Sequence, residues 1–559
     1  MKRDLAQLEG NEFDVLIIGG GIYGVCAAWE AALRGLSVAL VEKGDFGSAT
    51  SSNSLKIIHG GLRYLQHADF KRMRESISER KILMRIAPHL VHPLPCLMPT
   101  YGHALKGKEI MALALLINDL IGFDRNALTD PQKLLPRART LSRDECKKLI
   151  PGVNEEGLTG AALWYDCQVY NTERMLVSVL RSAVEAGAVV ANYVAMLNFR
   201  KNRDRITGIL AKDTLSDNEF DIRAKLIINN TGPWVNNILG KLYERLAEPR
   251  VKLSAAMNLV VKKQFVPEYA VGIWSRSQFN DEDALISKGS RLLFVTPWRD
   301  YSLIGTTHVP YEGDAEQFKI TEKDIRAFIH EVNEAYPAAN LKREDVTYFY
   351  GGLLPMDGYN DKTGDVKLLK HYRIIDHKKE NSVEGLISVI GVKYTTARDV
   401  AAKTIDYVFQ KLGSKPPKSQ TPFTPVFGGN IEQFENFLHQ EISKSARGLN
   451  RGIIKQLVYN YGSEYSRILK YCDENPEWTQ PVHNTSNVLK AEVIHAIREE
   501  MALKLSDVVL RRTELGSAGN PGEESLKTCA AILAMELGWD KARVQREIEE
   551  VRNVYHLSA

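Results

Sequence analysis

The chain has few cysteines, and no two of them are spaced as C-x-x-C. The six cysteines are Cys26, Cys96, Cys146, Cys167, Cys472 and Cys529. Cysteines scattered in this way argue against a disulfide framework and fit a reducing compartment, so we expect a cytoplasmic protein. No metal site is predicted.

Long apolar runs are also missing. No stretch reaches the roughly 18 consecutive apolar residues that a membrane-spanning helix needs. Residues Met1 to Glu12 are polar and lack the apolar region of a secretory signal. The most apolar segment is Ile110 to Ile121, which Asn118 and Asp119 interrupt. A buried helix is the simpler interpretation of this segment, and a helix lying on a membrane surface is the alternative.

A strong excess of charge is absent too. The 73 Lys+Arg and 69 Asp+Glu residues leave a formal net charge of only +4, and no Lys- or Arg-rich run occurs. This balance argues against a nucleic acid partner. With 559 residues, 44% hydrophobic and 25% charged, the chain has an ordinary globular composition, and its length predicts roughly two or three domains.

The N-terminal region contains a βαβ pattern. Phe13 to Ile18 is a short apolar run that predicts a buried parallel strand, Ile22 to about Arg34 a helix, and Ser37 to Val41 a second strand. Gly19 to Gly24 reads GGGIYG and joins the first strand to the helix. It satisfies the G-x-G-x-x-G pattern of dinucleotide-binding loops, which is weak alone but stronger between a strand and a helix.

Each residue type in this loop has a physical role. Gly19 permits the tight turn, Gly21 lets the backbone approach a pyrophosphate, and Gly24 lets the helix pack closely on the strand. Free N–H groups at the helix N-terminus favour the phosphates. Glu42 ends the second strand, where a carboxylate accepts hydrogen bonds from the adenosine ribose and repels a 2′-phosphate. The pattern predicts a dinucleotide other than NADP.

The following segment favours FAD over NAD. Ser48 to Tyr64 reads SATSSNSLKIIHGGLRY, which is rich in hydroxyls and ends near a second glycine pair. A flavin dinucleotide needs many donors along its pyrophosphate and ring edge, and this segment supplies them. An ordinary polar loop capped by glycines is the alternative for this segment.

Further predicted strands lie far downstream at Val189 to Val194, Lys225 to Ile228 and Gly385 to Ile390. The cofactor domain is therefore predicted to be discontinuous. We expect a FAD-binding domain at 12–85, 150–250 and 345–410, a substrate domain at 86–149 and 251–344, a linker at 411–429, and a helical domain at 430–559. The linker is rich in proline and glycine. Val493, Ile497, Met501 and Leu505 give the tail an amphipathic helical spacing.

Several motifs together resemble one family, the FAD-dependent glycerol-3-phosphate dehydrogenases. The main ones are GGGIYG, ATSSNSLKIIHGGLRYL at 49–65 and GVKYTTAR at 391–398. Supporting matches are YDCQV at 165–169, NTGPWV at 230–235, LIGTTHVPYEGD at 303–314 and EEMALKLSDVVLRRT at 499–513. They occur in the family's order over almost the whole chain.

The resemblance implies an α/β fold with a Rossmann-type FAD-binding domain of the D-amino-acid-oxidase-like class, an inserted mixed α/β substrate domain and a C-terminal helical domain. It implies oxidation of a secondary alcohol to a ketone, as in sn-glycerol 3-phosphate to dihydroxyacetone phosphate. A hydride would pass to flavin N5, and electrons then to a quinone or to oxygen. It also implies a homodimer and a peripheral position at the inner face of a membrane.

The resemblance implies roles for individual residues. The expected FAD contacts are Gly19, Gly21, Gly24, Glu42, Ser51, Ser52, Lys56, His59, Gly232 and Thr395. Arg63, Tyr64 and Lys393 are the family's substrate-site residues that this chain keeps. Lys393 would orient the alcohol or take its proton, and the alternative is a structural lysine beside the flavin.

Other substrate-site positions depart from the family pattern. Leu354 stands where the family has a phosphate-binding arginine in G-V-R-P, and Lys370 replaces a second arginine. Asn258 replaces a candidate catalytic histidine, and His308 follows GTT in place of an aspartate. Asn258 can still hydrogen-bond a hydroxyl, and His308 or His371 could serve as the missing base. An ordinary surface or structural role is the alternative for each histidine.

These departures leave three interpretations. The first is a glycerol-3-phosphate dehydrogenase with a rearranged anion site that uses Arg63, Lys370 and Arg373. The second, which the changed residues suggest, is a relative that oxidises another polar hydroxy or amino compound. The third is a flavin-binding protein with little catalysis, against which the retained Arg63, Tyr64 and Lys393 argue.

Overall fold

The computed structural model describes residues 1–102, 107–242, 251–275, 291–360 and 364–557, without the side chains of Arg63, Gln66, His67 and Asn381. The strands are β1 (Glu12–Ile18), β2 (Val38–Val41), β3 (Ile57–Ile58), β4 (Val91–Tyr101), β5 (Arg139–Leu141), β6 (Leu158–Val169), β7 (Val189–Ala191), β8 (Val194–Asn202), β9 (Arg205–Asp213), β10 (Glu219–Asn229), β11 (Lys252–Val261), β12 (Ala270–Trp274), β13 (Leu292–Trp298), β14 (Tyr301–Tyr311), β15 (Val346–Tyr359), β16 (Val366–Leu368), β17 (Arg373–Asp376) and β18 (Leu386–Ile390).

The α-helices are α1 (Leu5–Gly10), α2 (Ile22–Leu33), α3 (Phe70–Ile86), α4 (Lys108–Ile121), α5 (Arg143–Leu149), α6 (Thr172–Glu185), α7 (Val235–Gly240), α8 (Glu322–Ala335), α9 (His377–Asn381), α10 (Ala397–Lys411), α11 (Phe434–Lys444), α12 (Arg451–Tyr461), α13 (Tyr465–Glu474), α14 (Lys490–Glu500), α15 (Leu505–Asp507), α16 (Glu523–Leu537) and α17 (Lys541–Tyr555).

The first sheet is built around the predicted βαβ unit. Its strand order is β17-β18-β10-β1-β2-β7, with β9 and β8 added beside β10, and the central pairs are parallel. Helix α2 packs between α6 and α10. Small residues such as Ala27, Ala28 and Ala31 are buried along α2, which lets the three helices come close together. The predicted first strand, helix and second strand are confirmed.

One of the predicted strands is divided into two strands in the structure. The segment expected as a single strand at Val189 to Val194 is divided into β7 and β8. Tyr193 has a left-handed backbone with φ of 57°, and the Asn192 side chain donates to Asp45 at 3.0 Å. An apolar run does not reveal such a turn, because the turn depends on partners distant in sequence.

The second sheet is mostly antiparallel and has the order β16-β15-β11-β14-β13-β12-β4-β6-β3, with β5 beside β6. The chain enters it at β3, leaves after β6, re-enters at β11 and leaves after β16. Strands β6 and β15 therefore lie in the second sheet, although the expected boundaries put 150–250 and 345–410 with the cofactor domain. The sequence could not assign them, because β6 is apolar on both faces and its sheet is decided by pairing with β4.

The C-terminal helices have a core of their own, which includes Phe434, Leu457, Val493 and Leu533. Residues 412–433, all of them described, contain neither helix nor strand and overlap the expected linker. The amphipathic spacing from Val493 does not continue as one helix. Helix α14 ends at Glu500, Met501 adopts a left-handed conformation, and Leu505 begins α15.

Helix α4 is not buried, so the simpler interpretation of the apolar segment at Ile110 to Ile121 is wrong. One side leaves Leu113 53%, Leu116 57% and Leu120 65% exposed, and Phe123 beyond it is 80% exposed. Apolar residues occur all round this helix, so periodicity could not show how much of it the fold covers. No helix of the described residues has the length and apolar character needed to cross a membrane.

Candidate active site

A cavity of about 1430 Å³ lies between the two sheets. Its wall contains the loop after β1, most of the segment 47–62, residues 230–234 after β10 and residues 391–395 after β18. The carboxyl ends of parallel strands β1, β10 and β18 meet here, the usual ligand position in open α/β sheets. Strands β11, β14 and β15 close the other side.

The glycine loop forms a cradle on this wall. Gly19 has φ of +109°, and a Cβ there would lie 2.6 Å from the Asn230 carbonyl oxygen. A Cβ on Gly24 would lie 1.9 Å from the Gly19 carbonyl oxygen, so only glycine lets α2 approach the loop this closely. Gly21 lines the cavity at the N-cap of α2. The cradle therefore presents backbone N–H groups to an anion.

The two predicted serines face different ways. Ser51 Oγ accepts the Ile22 N–H at 2.9 Å and lines the cavity. Ser52 donates to the Gly47 carbonyl at 2.7 Å and lines a second cavity, of about 450 Å³. Ser52 therefore differs from its expected place along FAD. The reason is a turn in residues 48–53, shown by the Ser52 N–H bonding to the Ala49 carbonyl.

The Glu42 carboxylate accepts hydrogen bonds from backbone N–H groups on both sides of it. Its Oε2 accepts the Gly20 N–H at 2.7 Å, and its Oε1 accepts the Gly44 N–H at 2.9 Å. Burial raises the pKa of the Glu42 carboxyl, and the two backbone hydrogen bonds oppose that shift. Each oxygen keeps a further lone pair with which to accept a ribose hydroxyl.

Lys56 and His59 sit on the wall in different ways. The buried Lys56 ammonium donates to Thr172 Oγ1 at 2.8 Å and lies 3.0 Å from both Glu173 oxygens, so its charge is satisfied inside the protein. The His59 side chain is 43% exposed, with Nδ1 3.3 Å from Asp166. Asp166 also accepts the Gly60 N–H at 2.6 Å and so fixes the second glycine pair.

Gly232 and Thr395 both line the cavity. Gly232 has φ of +55°, and a Cβ there would point into open space. Asn230, two residues earlier, has a buried Oδ1 without a hydrogen-bond partner among the described residues. A polar atom of this kind on a cavity wall fits a ligand that donates to it.

Tyr64, Lys393 and Arg72 form a cluster on the same wall. The Lys393 Nζ lies 4.2 Å and the Arg72 Cζ 4.4 Å from the centre of the Tyr64 ring. Burial lowers the pKa of Lys393, and the Arg72 charge lowers it further while Tyr64 opposes the shift. Arg63 directly precedes Tyr64 in the chain, but its side chain lies outside the described residues.

Tyr23 is a site residue that sequence reasoning missed. Its hydroxyl donates to the Lys393 carbonyl at 3.0 Å and accepts the Lys393 N–H at 3.3 Å. Tyr23 thereby ties the first turn of α2 to the segment that carries Lys393. Its position inside GGGIYG was the available signal, but a motif defined by its glycines gives no reason to single it out.

The four positions that depart from the family pattern all line this cavity; they are Asn258, His308, Leu354 and Lys370. Asn258 lies on β11, where its Oδ1 accepts the Thr306 hydroxyl at 2.7 Å. Strand register places His308 opposite Ala256 and Leu354 opposite Ser254. Arg373 pairs instead with Asp357 at 2.6 Å on the surface.

Comparison with known proteins identifies the family. A model described as FAD dependent oxidoreductase matches residues 14–383, and one described as C-terminal domain of alpha-glycerophosphate oxidase matches residues 419–544. A glycerol-3-phosphate dehydrogenase of Synechocystis sp. is 33% identical over 98% of this chain and 97% of its own length. The chain belongs to the FAD-dependent glycerol-3-phosphate dehydrogenase family.

Other members of the family match nearly the whole of this chain. Glycerol-3-phosphate dehydrogenase 2 of Mycobacterium bovis is 31% identical over 97% of this chain and 88% of its own. The human mitochondrial glycerol-3-phosphate dehydrogenase is 30% identical over 97% of this chain and 73% of its own. The glycerol-3-phosphate dehydrogenase of Bacillus halodurans, solved with FAD, matches the fold with a TM-score of 0.74 at 24% identity, covering 98% and 96% of the two chains.

This family member is a FAD-dependent oxidoreductase with the D-amino-acid-oxidase-like fold and the C-terminal helical domain that the sequence predicted. The glycine cradle, the Glu42 carboxylate and the Asn230 oxygen on the cavity wall fit the FAD that the family binds. The comparisons do not favour the two alternatives, an enzyme for a different compound and a flavoprotein with little catalysis.

Proposed function

We propose that this flavoenzyme oxidises the secondary alcohol of sn-glycerol 3-phosphate to the ketone of dihydroxyacetone phosphate. The observation that supports this most directly is that Lys393, in the 391–395 segment, and Arg72 line the cavity, each next to the Tyr64 ring. The Arg72 guanidinium in a desolvated wall suits the phosphate of such a substrate, and the Lys393 amine beside it suits the alcohol. Likeness to relatives of this name over nearly the whole chain supports the same substrate.

FAD, when bound, supplies the acceptor for the hydride at its N5 atom. Lys393 takes the hydroxyl proton at its Nζ, because a lowered pKa leaves more of the amine neutral. Tyr23 keeps the Lys393 backbone in place through two hydrogen bonds. Asn258 orients the substrate with its amide N–H groups, while its Oδ1 is held by Thr306. His308, on the neighbouring strand, supplies a further polar contact in the same cavity.

Steady-state oxidation with an artificial acceptor tests the substrate. We expect the holoenzyme to prefer sn-glycerol 3-phosphate strongly over glycerol and over unphosphorylated polyols. Lys393→Met should lower kcat while the protein keeps its flavin, because the lysine acts on the substrate. Turnover of another polyol, hydroxy acid or amine, with none of sn-glycerol 3-phosphate, would contradict the proposal.

We propose further that α4 lies on a membrane and brings a quinone to the flavin. Exposed Leu113, Leu116 and Leu120 form one stripe, which Phe123 extends. Met111 and Ala114 of the same helix line the cavity, so α4 separates the apolar stripe from the flavin site by one helix diameter. Apolar side chains at this density suit an interfacial helix. A quinone is the acceptor that such a surface delivers, with oxygen as the alternative.

Vesicle flotation tests the membrane contact. The holoenzyme should float with phospholipid vesicles, and Leu116→Glu with Leu120→Glu should abolish flotation and quinone reduction but spare a soluble dye acceptor. Glu109→Ala, on the exposed side of the same helix, is the matched control. Loss of a homodimer in sedimentation, with quinone reduction unchanged, would show instead that the stripe joins two copies of the chain.

A further inference from the structure

Arg72 is a buried arginine beside the large cavity. It lies in the first turn of α3, lines the large cavity and is only 8% exposed. Its Nε has no hydrogen-bond partner among the described residues. Arg74, two positions further along α3, contacts Asp124 through both terminal nitrogens, as surface arginines commonly do. Arg72 therefore lines the cavity with a guanidinium whose donors are not all used.

The charge around Arg72 is unbalanced. Its Nη1 lies 3.5 Å from Asp69 Oδ2, a long contact, and His371 lies 3.6 Å from the same oxygen. The Lys393 amine lies beside the same site, 4.2 Å from the centre of the Tyr64 ring. The Arg72 guanidinium is therefore poorly compensated in a poorly solvated wall, and a bound anion would stabilise it.

Three other lining residues do not offer the same charge. Leu354, on the opposite wall, is apolar, and the Lys56 ammonium is paired with Glu173. Arg291 also lines the cavity but is paired with Glu331. Of the two arginines that line the cavity among the described side chains, Arg72 is the one with an unpartnered donor, and a guanidinium offers a phosphate two parallel hydrogen bonds.

We infer that Arg72, beside the Tyr64 ring, binds the anionic end of the substrate and makes the cavity specific for a phosphate monoester. The inference rests on the proposed function and deepens it. Arg72 contributes binding and selectivity, whereas Lys393 acts at the reacting alcohol. Asp69 holds the guanidinium on the cavity side through its contact with Nη1 and its cap to the Arg72 N–H at 3.0 Å.

Ligand titration of the oxidised holoenzyme tests this role without turnover. The visible flavin spectrum is followed as dihydroxyacetone phosphate, its uncharged counterpart dihydroxyacetone, or inorganic phosphate is added at constant ionic strength. Arg72→Met keeps the apolar stem and removes the charge. Lys71→Met removes the same charge from the exposed neighbouring residue and is the matched control.

Arg72→Met should weaken dihydroxyacetone phosphate and phosphate binding by about tenfold or more, as for loss of a charged hydrogen bond. Binding of dihydroxyacetone should change little, Arg72→Lys should lie between, and Lys71→Met should match the unaltered protein. The flavin content should stay the same in all variants.

Several results would overturn the inference. Equal effects of Arg72→Met on the charged and uncharged ketones would make Arg72 structural, and loss of flavin in Arg72→Met and Arg72→Lys alone would make it a flavin contact. Unchanged phosphate binding would also overturn it. If the unaltered protein binds phosphate through Arg72 but sn-glycerol 3-phosphate does not reduce its flavin, the proposed function fails while the anion site stands.

Discussion

The closest approach in the cofactor loop is between two glycines. A side chain on Gly24 would collide with the Gly19 carbonyl, since the Cβ would lie 1.9 Å from that oxygen. The same loop is tied to a distant part of the chain by Tyr23, because a Cβ on Gly391 would lie 2.2 Å from the Tyr23 Cζ. The FAD cradle thus depends on contacts that leave no room for a methyl group.

Gly24→Ala should therefore reduce bound FAD. The added methyl pushes α2 away from the loop, which weakens the anion-binding N-terminus of that helix. The ratio of flavin absorbance to protein in the purified variant measures the effect. Gly10→Ala is the control, because a Cβ on Gly10 has no atom within 4 Å. A full complement of flavin in Gly24→Ala would contradict this account of the cradle.

The titration of Lys393 gives a pH-dependent prediction. Burial first, and the Arg72 charge in addition, hold the pKa of Lys393 below its ordinary 10.5. The neutral amine is the base, so the rate of flavin reduction should rise with pH until that lowered pKa is passed. Anaerobic stopped-flow across pH measures it. In Lys393→Met the rate should be low and lose this rise, and a profile unchanged from that of the unaltered enzyme would exclude Lys393 as the base.

At the scale of single residues, the sequence predicts those whose role follows from their residue type and spacing. The glycines of GGGIYG and Glu42 lie on the cradle as their chemistry suggests. Ser52 and Arg72 could not be placed, because the direction of one side chain is set by a turn and the environment of the other by residues distant in sequence.

At the scale of elements, strands and helices with one strong pattern are predicted well, and those that depend on partners are not. The βαβ unit follows from its own apolar runs. The division of β7 from β8, the exposure of α4 and the sheet that β6 joins depend on what lies beside them. The sequence pattern therefore determines whether an element is a helix or a strand more firmly than it determines which elements lie beside it.

The connection between α3 and β4 contains a buried histidine that should make the fold acid-sensitive. His89 is fully buried, and neither ring nitrogen has a hydrogen-bond partner among the described residues. Desolvation, with Lys133 and Arg174, lowers its pKa to about 3 from 6.5. Gly428 and Gly462 pack against the ring, so the residue lies where the C-terminal region meets this connection.

The unfolded chain binds a proton at His89 below pH 6.5, and the folded chain does not until about pH 3. Stability should therefore fall by ~1.4 kcal/mol for each unit as the pH drops through this window. Urea unfolding at several pH values measures the slope. His89→Leu should flatten it, whereas His439→Leu, at an exposed histidine, should not. If His89→Leu shows the same slope of stability against pH as the unaltered protein, His89 is not the cause of the acid sensitivity.

At the scale of the whole molecule, buried ion pairs join the cofactor sheet to the C-terminal helices. Asp45, after β2, accepts two hydrogen bonds from Arg512 at 2.7 Å each and one from Arg511 at 2.5 Å. These cations hold the pKa of Asp45 below its ordinary value against the effect of burial. The order of the domains could be predicted from the motifs, but this junction could not, since its partners are more than four hundred residues apart.

Asp45→Asn should destabilise the protein by about 3 kcal/mol, because it leaves the buried Arg512 guanidinium without a carboxylate partner, while Arg511 keeps Asp507 at 2.8 Å. Thermal or urea unfolding of the holoenzyme measures the loss. Adding Arg512→Met to the variant should recover part of the loss, since the buried unpaired charge is then removed. Asp217→Asn, at an exposed aspartate, is the control. A loss no larger than the control's would mean that the junction does not depend on this pair.

The most direct test of the central claim is a single anaerobic turnover. The yellow holoenzyme is mixed with one equivalent of sn-glycerol 3-phosphate, and the flavin absorbance and the ketone product are both measured. The account predicts that the flavin band bleaches as an equal amount of dihydroxyacetone phosphate forms, and that glycerol at the same concentration leaves the band unchanged. A band that stays oxidised with sn-glycerol 3-phosphate, in protein carrying its full flavin, would contradict the account.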